Sequence, residues 1–274
     1  MSRYKLRANY DIENIDSQKM DGTVIVDVPM LSNGELNYGL SHIKKKLYEE
    51  NVYPSEIGFD IMSLATMVYM ADTRIERVVH GQDSWTREIE LEIPVSNVEI
   101  WDSQIHTVER MLKFLTGDLW KITLSSRAWQ FNNLEEVREK SNKYDEVSLF
   151  SGGMDSLIST INLMENKKNT LLISHAGEGL TKNAQKNIVN KFDLLYPDVL
   201  HTWLDLWMVF PHDYIPAGGN DNNTRSRSFL FIGYALFAMT GMDNINELLV
   251  PENGLIALNV PLDETRVGSF STRT

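Results

Sequence analysis

The chain changes its pattern of hydrophobic and polar residues about halfway along. In the first half, residues 85–95 alternate between apolar and charged side chains, which predicts a strand with one buried face. Apolar residues recur at helical spacing over 105–115 and are followed by Gly117, a residue typical of a helix C-terminus. Two more strands are predicted at 23–28 and 120–124, and a mostly buried helix at 54–74. These elements indicate a small α+β unit.

The second half follows a charged stretch at 135–145, where we place a domain boundary. Short runs of consecutive apolar residues then alternate with helical segments, a pattern typical of a parallel sheet covered on both faces. Strands are predicted at 147–150, 170–174, 199–206, 247–250 and 255–260, and helices at 157–163, 183–195 and 228–239. The predicted fold class is therefore α/β: a smaller α+β domain at 1–139, then a parallel-sheet domain at 140–274.

Composition narrows the class of protein. The 274 residues are 42% hydrophobic, enough for a packed core, and carry a net charge of −12. This acidic balance argues against a broad nucleic-acid-binding surface. The chain has no cysteine, which excludes disulfides, thiolate metal ligands and cysteine nucleophiles within it, and its six histidines show no metal-binding spacing. With no apolar leader or long apolar segment, we expect a cytoplasmic protein without membrane contacts.

One short motif carries chemical information. It comprises Ser151, Gly152, Gly153, Met154, Asp155 and Ser156, and it lies between a predicted strand and a predicted helix. Two glycines leave backbone N–H groups unobstructed, and a helix N-terminus adds partial positive charge, so the segment predicts a phosphate-binding loop. Asp155 can cap the helix or help to organise Mg²⁺. The simpler alternative is an ordinary glycine-rich turn with a well-capped helix. Neither a Walker nor a Rossmann motif is present.

A strand followed by Ser-Gly-Gly-x-Asp-Ser resembles the PP-loop of the N-type ATP pyrophosphatases. This superfamily includes GMP synthetase, NAD synthetase, asparagine synthetase, tRNA thiolation enzymes and 7-cyano-7-deazaguanine synthase (QueC). The resemblance implies an adenine nucleotide alpha hydrolase-like fold that uses ATP and Mg²⁺ and grips the β,γ-pyrophosphate with residues 151–156. It also implies that an acceptor attacks the α-phosphorus, which gives an adenylate and pyrophosphate.

Downstream segments are similar to those of QueC-like proteins. Ser174 and His175 end the second predicted strand of this half, at a position that borders adenine in PP-loop enzymes. Arg225 and Arg227 open the apolar helix, where the family has an arginine-containing segment near nucleotide and substrate. The resemblance thus implies catalytic roles for both arginines, together with Asp155 and Ser156. The alternatives are a plain loop histidine and a solvated pair of arginines.

The resemblance also implies a substrate-binding role for Glu252 and Asn253, although an Asn-Gly turn explains the same residues. Two features depart from QueC. The family's four-cysteine zinc site has no counterpart here, so we expect that a cysteine-bearing C-terminal segment is missing and that zinc would bind only there. About 140 additional N-terminal residues make the chain more similar to QatC-type, QueC-like proteins of bacterial anti-phage defence operons.

The function that these resemblances imply is an ATP-dependent ligase or synthase. It would adenylate the carboxylate of a deazaguanine-like substrate, which an amine then attacks to form a C–N bond. The amine could belong to a protein partner from the same operon. Two alternatives remain open: a non-catalytic ATP-binding regulator or scaffold, and a tRNA-modifying PP-loop enzyme. The second usually needs a sulfur-carrying cysteine, which this chain lacks.

Overall fold

The computed structural model describes residues 3–132, 139–221, 223, 225–243 and 245–252. The strands are β1 (Arg3–Asn9), β2 (Asp16–Met20), β3 (Thr23–Pro29), β4 (Leu31–Ser32), β5 (Glu35–Leu36), β6 (Glu88–Val95), β7 (Leu119–Ser126), β8 (Glu146–Leu149), β9 (Thr170–Ala176), β10 (His201–Trp207) and β11 (Leu248–Leu249). The helices are α1 (Leu40–Glu49), α2 (Glu56–Arg74), α3 (Arg77–His80), α4 (Val98–Asp102), α5 (Ile105–Thr116), α6 (Met154–Glu165), α7 (Gly179–Leu195) and α8 (Arg227–Met239).

The N-terminal half, up to residue 139, contains a five-stranded sheet in the order β2-β3-β1-β6-β7. β1 runs parallel to β3 and β6, and β6 runs parallel to β7, whereas β2 is antiparallel to β3. The expectation of an α+β unit is therefore wrong for this half, because its sheet is mostly parallel, as in α/β proteins. The strands at 23–28, 85–95 and 120–124 and the helix at 54–74 are confirmed, with small shifts at their ends.

The outer face of this sheet explains why the alternation of apolar and charged residues suggested an α+β unit. Lys5 on β1 contacts Glu92 on β6 at 2.8 Å, and Arg7 pairs with Asp27 on β3. The residues of β1 that face the other way, such as Leu6, are buried under the helices. A face made of paired charges needs no covering layer, so these parallel strands alternate in polarity like the strands of a half-exposed antiparallel sheet.

Among the described residues from 140 onwards, four strands form a sheet in the order β10-β9-β8-β11, and these four strands are parallel. This confirms the predicted α/β class. Every residue of β9 is buried, as expected for a strand covered on both faces. The chain leaves β8 through α6 towards β9 and β10, and then returns through α8 to β11 on the opposite side of β8. The direction of connection therefore changes between β8 and β11.

Helices α2 and α8 pack against each other and join the two sheets in one hydrophobic core. Their contact is close at Gly233 of α8, where a Cβ atom would lie 2.7 Å from the Cβ of Ala65 in α2. Phe59 of α2 and Phe237 of α8 are both buried in the same core. The apolar character of α8 is explained by this central position.

Some predictions fall on residues that the structure does not describe. The strand predicted at 255–260 and the residue Asn253 lie outside the described residues, as does 133–138 in the charged stretch. The predicted boundary between 139 and 140 therefore stays a prediction. Within the described ranges, no helix combines the length and apolar character needed to cross a membrane.

Candidate functional site

The motif at 151–156 lies where the strand connections change direction. In open α/β sheets, ligands bind at the carboxyl ends of the strands at this position. A cavity of about 390 Å³ is found there, between the end of β8, the first turns of α6 and α8, and the residues after β11. Every residue of the motif except Gly152 lines it, and so does Glu252. We call it the motif cavity. The fold thus brings Glu252 to the motif from about one hundred residues away.

The loop itself has an unusual backbone that its own side chains stabilise. Gly152 has a φ of 81°, a conformation that favours glycine. Its N–H donates a hydrogen bond to the Ser156 Oγ at 3.1 Å, and that hydroxyl donates to the carbonyl oxygen of Gly153 at 2.9 Å. The Gly153 N–H contacts the Ser151 Oγ at 3.3 Å. The two serines therefore hold the turn in shape.

Gln185 of α7 supports this turn, and it was not among the predicted site residues. Its Nε2 donates to the carbonyl oxygen of Ser151 at 3.1 Å. A Cβ atom at Gly152 would lie only 2.9 Å from the Gln185 Cγ. Gln185 is completely buried although it is polar, and a glutamine at a helical core position is the one signal that could have identified it.

The N-terminus of α6 is not capped by a side chain of the described residues. Gly153 occupies the N-cap position, and Asp155 lies in the first turn without a capping hydrogen bond. The cap predicted for Asp155 is therefore wrong: Asp155 follows the N-cap by two residues, whereas a capping side chain belongs to the N-cap residue itself. The N–H groups of the first turn remain available to an anion in the motif cavity, where the helix dipole adds to their attraction.

The charges in the motif cavity favour an anion that arrives with a divalent cation. Asp155 and Glu252 both line the cavity, and none of its described lining residues is lysine or arginine. A polyphosphate would therefore meet two carboxylates, and Mg²⁺ bridges carboxylates and phosphate oxygens in this situation. Within the described ranges, no group of three or more His, Cys, Asp or Glu residues could hold a metal ion alone. The residues present fit Mg²⁺ that is bound together with a nucleotide.

Ser174 and His175 have different environments. The Ser174 side chain is buried in the sheet, where its Oγ accepts a hydrogen bond from the Trp203 Nε1. The His175 Nε2 lies 3.2 Å from the carbonyl oxygen of Met208, so this nitrogen carries the proton. Burial, together with the charge of Arg227, lowers the pKa of His175 to about 4. His175 is thus a neutral imidazole whose Nδ1 can only accept a hydrogen bond.

The two predicted arginines point to different places. The Arg225 Nη1 donates to the carbonyl oxygen of Thr116 at 2.8 Å, and the guanidinium lies over the ring of Trp85. It lines neither the motif cavity nor the second cavity described below. The Arg227 Nη2 donates to the carbonyl oxygen of His175 at 3.2 Å. The structure therefore brings Arg227 to the candidate site and holds Arg225 against the N-terminal half.

A buried ion cluster fixes the start of α8 and so the position of Arg227. Asp72 accepts a hydrogen bond from the N–H of Ser226 at 3.1 Å and pairs with Arg87. Arg87 also pairs with Asp118 and is only 1% exposed. Burial opposes the charge of Arg87, but Asp72 and Asp118 outweigh this effect and raise its pKa. The N-terminal half thus determines where Arg227 lies.

A second cavity, of about 430 Å³, lies between the N-terminal and C-terminal halves. His175 and Arg227 line it together with Arg74 of α2. The next residue after Arg227, Ser228, lines the motif cavity, so the first turn of α8 contributes one residue to each cavity. Sequence patterns could not identify Arg74, because it reaches this place only through the packing of α2 against α8.

Comparison of the chain with protein-family models, with curated proteins and with solved structures finds no match. The fold is that of an α/β protein. Its glycine-rich loop, its uncapped helix N-terminus and the motif cavity lie together where the strand connections change direction, between β8 and β11. Sites with these properties bind phosphate groups.

Proposed function

We propose that the protein is a QueC-like PP-loop ligase that binds ATP with Mg²⁺ at residues 151–156. It uses ATP to adenylate the carboxylate of a deazaguanine-like substrate, which an amine then attacks. The observation that carries this proposal is the uncapped N-terminus of α6, preceded by two glycines and open to the motif cavity. An ordinary turn with a capped helix, the simpler alternative, would have a side chain on one of the first-turn N–H groups, which would leave fewer of them for an anion.

The proposed reaction transfers AMP and has two steps. In the proposed first step, a carboxylate oxygen of the substrate forms a bond to the α-phosphorus, the bond to the β-phosphate oxygen breaks, and pyrophosphate leaves. Negative charge grows on the departing pyrophosphate, where the N–H groups of 154–156, in the first turn of α6, would stabilise it. Asp155 and Glu252 would hold Mg²⁺ against the same oxygens, and the metal would supply further charge stabilisation.

In the proposed second step, an amine nitrogen attacks the acyl carbon of the adenylate, AMP leaves, and a proton passes to solvent. Ammonia and an amine on a protein partner from the same operon are both compatible with this step. Ser156 acts as a positioning residue, because its hydroxyl is used to hold the turn. Ser151, which is exposed at the cavity, can contact a phosphate through its hydroxyl.

Product analysis tests this proposal. The protein is incubated with ATP, Mg²⁺, 7-carboxy-7-deazaguanine and ammonium, and AMP and pyrophosphate are measured. We expect both products, and a loss of at least about a hundredfold with Asp155→Ala, since charge stabilisation at a reacting phosphate has effects of this size. Asp198→Ala is the matched control, because Asp198 is exposed and lies outside the motif cavity.

Three results would contradict the proposal. AMP formation that Asp155→Ala leaves intact would place the chemistry elsewhere. ATP binding without AMP release would indicate the non-catalytic regulator. AMP formation that requires tRNA and not the deazaguanine would indicate the tRNA-modifying alternative.

A further inference from the structure

The second cavity is built by both halves of the chain. Tyr69 and Arg74 of α2 form one wall, His175 at the end of β9 and Phe210 after β10 form another, and Arg227 at the start of α8 closes it. These residues are far apart in sequence and meet only because α2 packs against α8. Any ligand of this cavity would touch the N-terminal half as well as the sheet that carries the motif.

The cavity has an excess of positive charge. Arg74 and Arg227 both line it, and neither pairs with a carboxylate among the described residues. The Arg74 guanidinium donates only to neutral oxygens, such as the carbonyl of Pro211 at 2.8 Å. Two carboxylates are also present, but Asp221 already pairs with buried arginines. Glu178 therefore opposes two uncompensated guanidinium groups, so an anion is favoured.

Two buried polar atoms beside the cavity lack partners within the described part of the chain. They are the His175 Nδ1, an acceptor, and the Arg227 Nε, a donor. His175 is only 1% exposed, and a buried polar group without a partner costs about 1–3 kcal/mol. A ligand edge with one N–H and one oxygen would satisfy both atoms.

Three aromatic rings, of Tyr69, His175 and Phe210, line the cavity and pack against one another. The ring centroids of Tyr69 and Phe210 are 6.1 Å apart, and those of Tyr69 and His175 are 5.3 Å apart. Planar heterocycles gain affinity by packing against such rings. Rings, unpaired cations and a donor–acceptor pair together fit a planar heterocyclic anion.

We propose that the second cavity binds the planar heteroaromatic carboxylate that is to be adenylated, and that Arg74 of the N-terminal half determines the preference for a carboxylate. The identity of the ligand rests on the proposed function. Its link to the motif cavity is that the neighbouring residues Arg227 and Ser228 line one cavity each, and that Gln185 donates to the carbonyl oxygens of both Ser151 and His175. On this proposal the N-terminal half is a part of the substrate site.

Calorimetric titration without ATP tests the proposal. The probes are 7-carboxy-7-deazaguanine and 7-deazaguanine, which lacks the carboxylate. With Arg74→Gln we expect the first probe to bind at least about tenfold more weakly, as for the loss of a charged hydrogen-bonding partner. The affinity for 7-deazaguanine and for a non-hydrolysable ATP analogue should stay unchanged. The control is Arg110→Gln, since Arg110 is exposed on α5, away from the cavity.

A second variant guards against a folding defect in Arg74→Gln. Val209 lines the cavity and is 47% exposed, so Val209→Trp fills the cavity without breaking a buried hydrogen bond. It should weaken the binding of both probes. Unchanged binding of the carboxylate in both variants would overturn the proposal. Weaker binding of the ATP analogue alone would also overturn it, because the cavity would then belong to the nucleotide.

Failure of this inference and failure of the proposed function give different results. Carboxylate binding that depends on Arg74, without AMP formation, supports the site and contradicts the activity. AMP formation whose KM for the carboxylate is the same in Arg74→Gln supports the activity and contradicts the site.

Discussion

The side chain of Gln185 lies so close to Gly152 that a methyl group at position 152 would be 2.9 Å from the Gln185 Cγ. Gly152 also has a positive φ of 81°. For both reasons we predict that Gly152→Ala deforms the loop that presents the N-terminus of α6. The ATP affinity, measured by titration, should fall at least about tenfold, and the strained backbone should cost about 1–3 kcal/mol of folding stability.

Gly177→Ala is the matched control for this prediction. Gly177 follows β9, its φ is not positive, and nothing lies within 4 Å of the position of a Cβ atom. Thermal unfolding and ATP titration of the two variants are compared directly. Equal ATP affinity in both would show that the shape of the loop is unimportant for nucleotide binding.

Arg225 and Arg227 should respond differently to substitution by glutamine. Arg225→Gln removes the contact with Trp85 and the hydrogen bond to Thr116, so we predict a loss of stability of about 1–2 kcal/mol. Arg227→Gln removes a cation from the second cavity, so we predict a decrease in kcat/KM for AMP formation of at least about tenfold. The opposite pattern in unfolding and rate measurements would place Arg225 in the reaction site.

The sequence predicted the second half of the fold well and the first half less well. Runs such as 170–174 are apolar throughout because β9 is covered on both faces, so their pattern is clear. β1 and β2 were not predicted. In β1, buried residues alternate with Arg3, Lys5 and Arg7, and the three cations fit into a sheet because each pairs with a carboxylate on a neighbouring strand. β2 is exposed along its whole length, so it has no apolar pattern.

The candidate site was predictable only in its local part. Residues 151–156 form a continuous motif, so their meeting with a helix N-terminus follows from sequence. Arg74 and Gln185 reach the site from distant helices, and their positions depend on tertiary packing that no local pattern encodes. The cap considered for Asp155 is a smaller error, because Asp155 follows the N-cap residue Gly153 by two positions and only a side chain at the N-cap position can cap.

The ion cluster around Arg87 should be important for stability. Arg87 is buried between Asp72 and Asp118, so its removal leaves carboxylates without compensation in the interior. We predict that Arg87→Gln lowers the free energy of unfolding by about 3–5 kcal/mol. Arg3→Gln, which breaks the exposed pair with Glu88, should cost less than about 1 kcal/mol. If urea denaturation gives similar decreases in the free energy of unfolding for the two variants, the ion pairs of Arg87 do not stabilise the interior.

The packing of α2 against α8 should make both halves unfold together. Gly233→Leu introduces a side chain at a position where even a Cβ atom would be 2.7 Å from the Ala65 Cβ. We therefore predict that it lowers the free energy of unfolding by about 1–3 kcal/mol. Tryptophans in both halves, including Trp120 and Trp203, allow fluorescence and circular dichroism to be compared. We expect coincident transitions. Gly179→Leu is the control, because the space around Gly179 is open. Separate unfolding transitions of the two halves in the unsubstituted protein would indicate two independent units.

The buried His175 should make folding stability depend on pH. Its pKa falls from 6.5 to about 4 on folding because burial and the charge of Arg227 disfavour the imidazolium. Above the unfolded-state pKa the residue is neutral in both states and has no effect. As the pH falls from about 6.5 towards 4, the unfolded chain takes up a proton that the folded protein does not, so stability decreases by up to about 3 kcal/mol.

His175→Gln should remove this part of the loss of stability, measured as the difference between the free energies of unfolding in urea at about pH 7 and about pH 4.5. The comparison is His106→Gln, which removes a histidine whose side chain is 94% exposed. If His175→Gln retains the full decrease in acid, the imidazole is not held neutral beside Arg227.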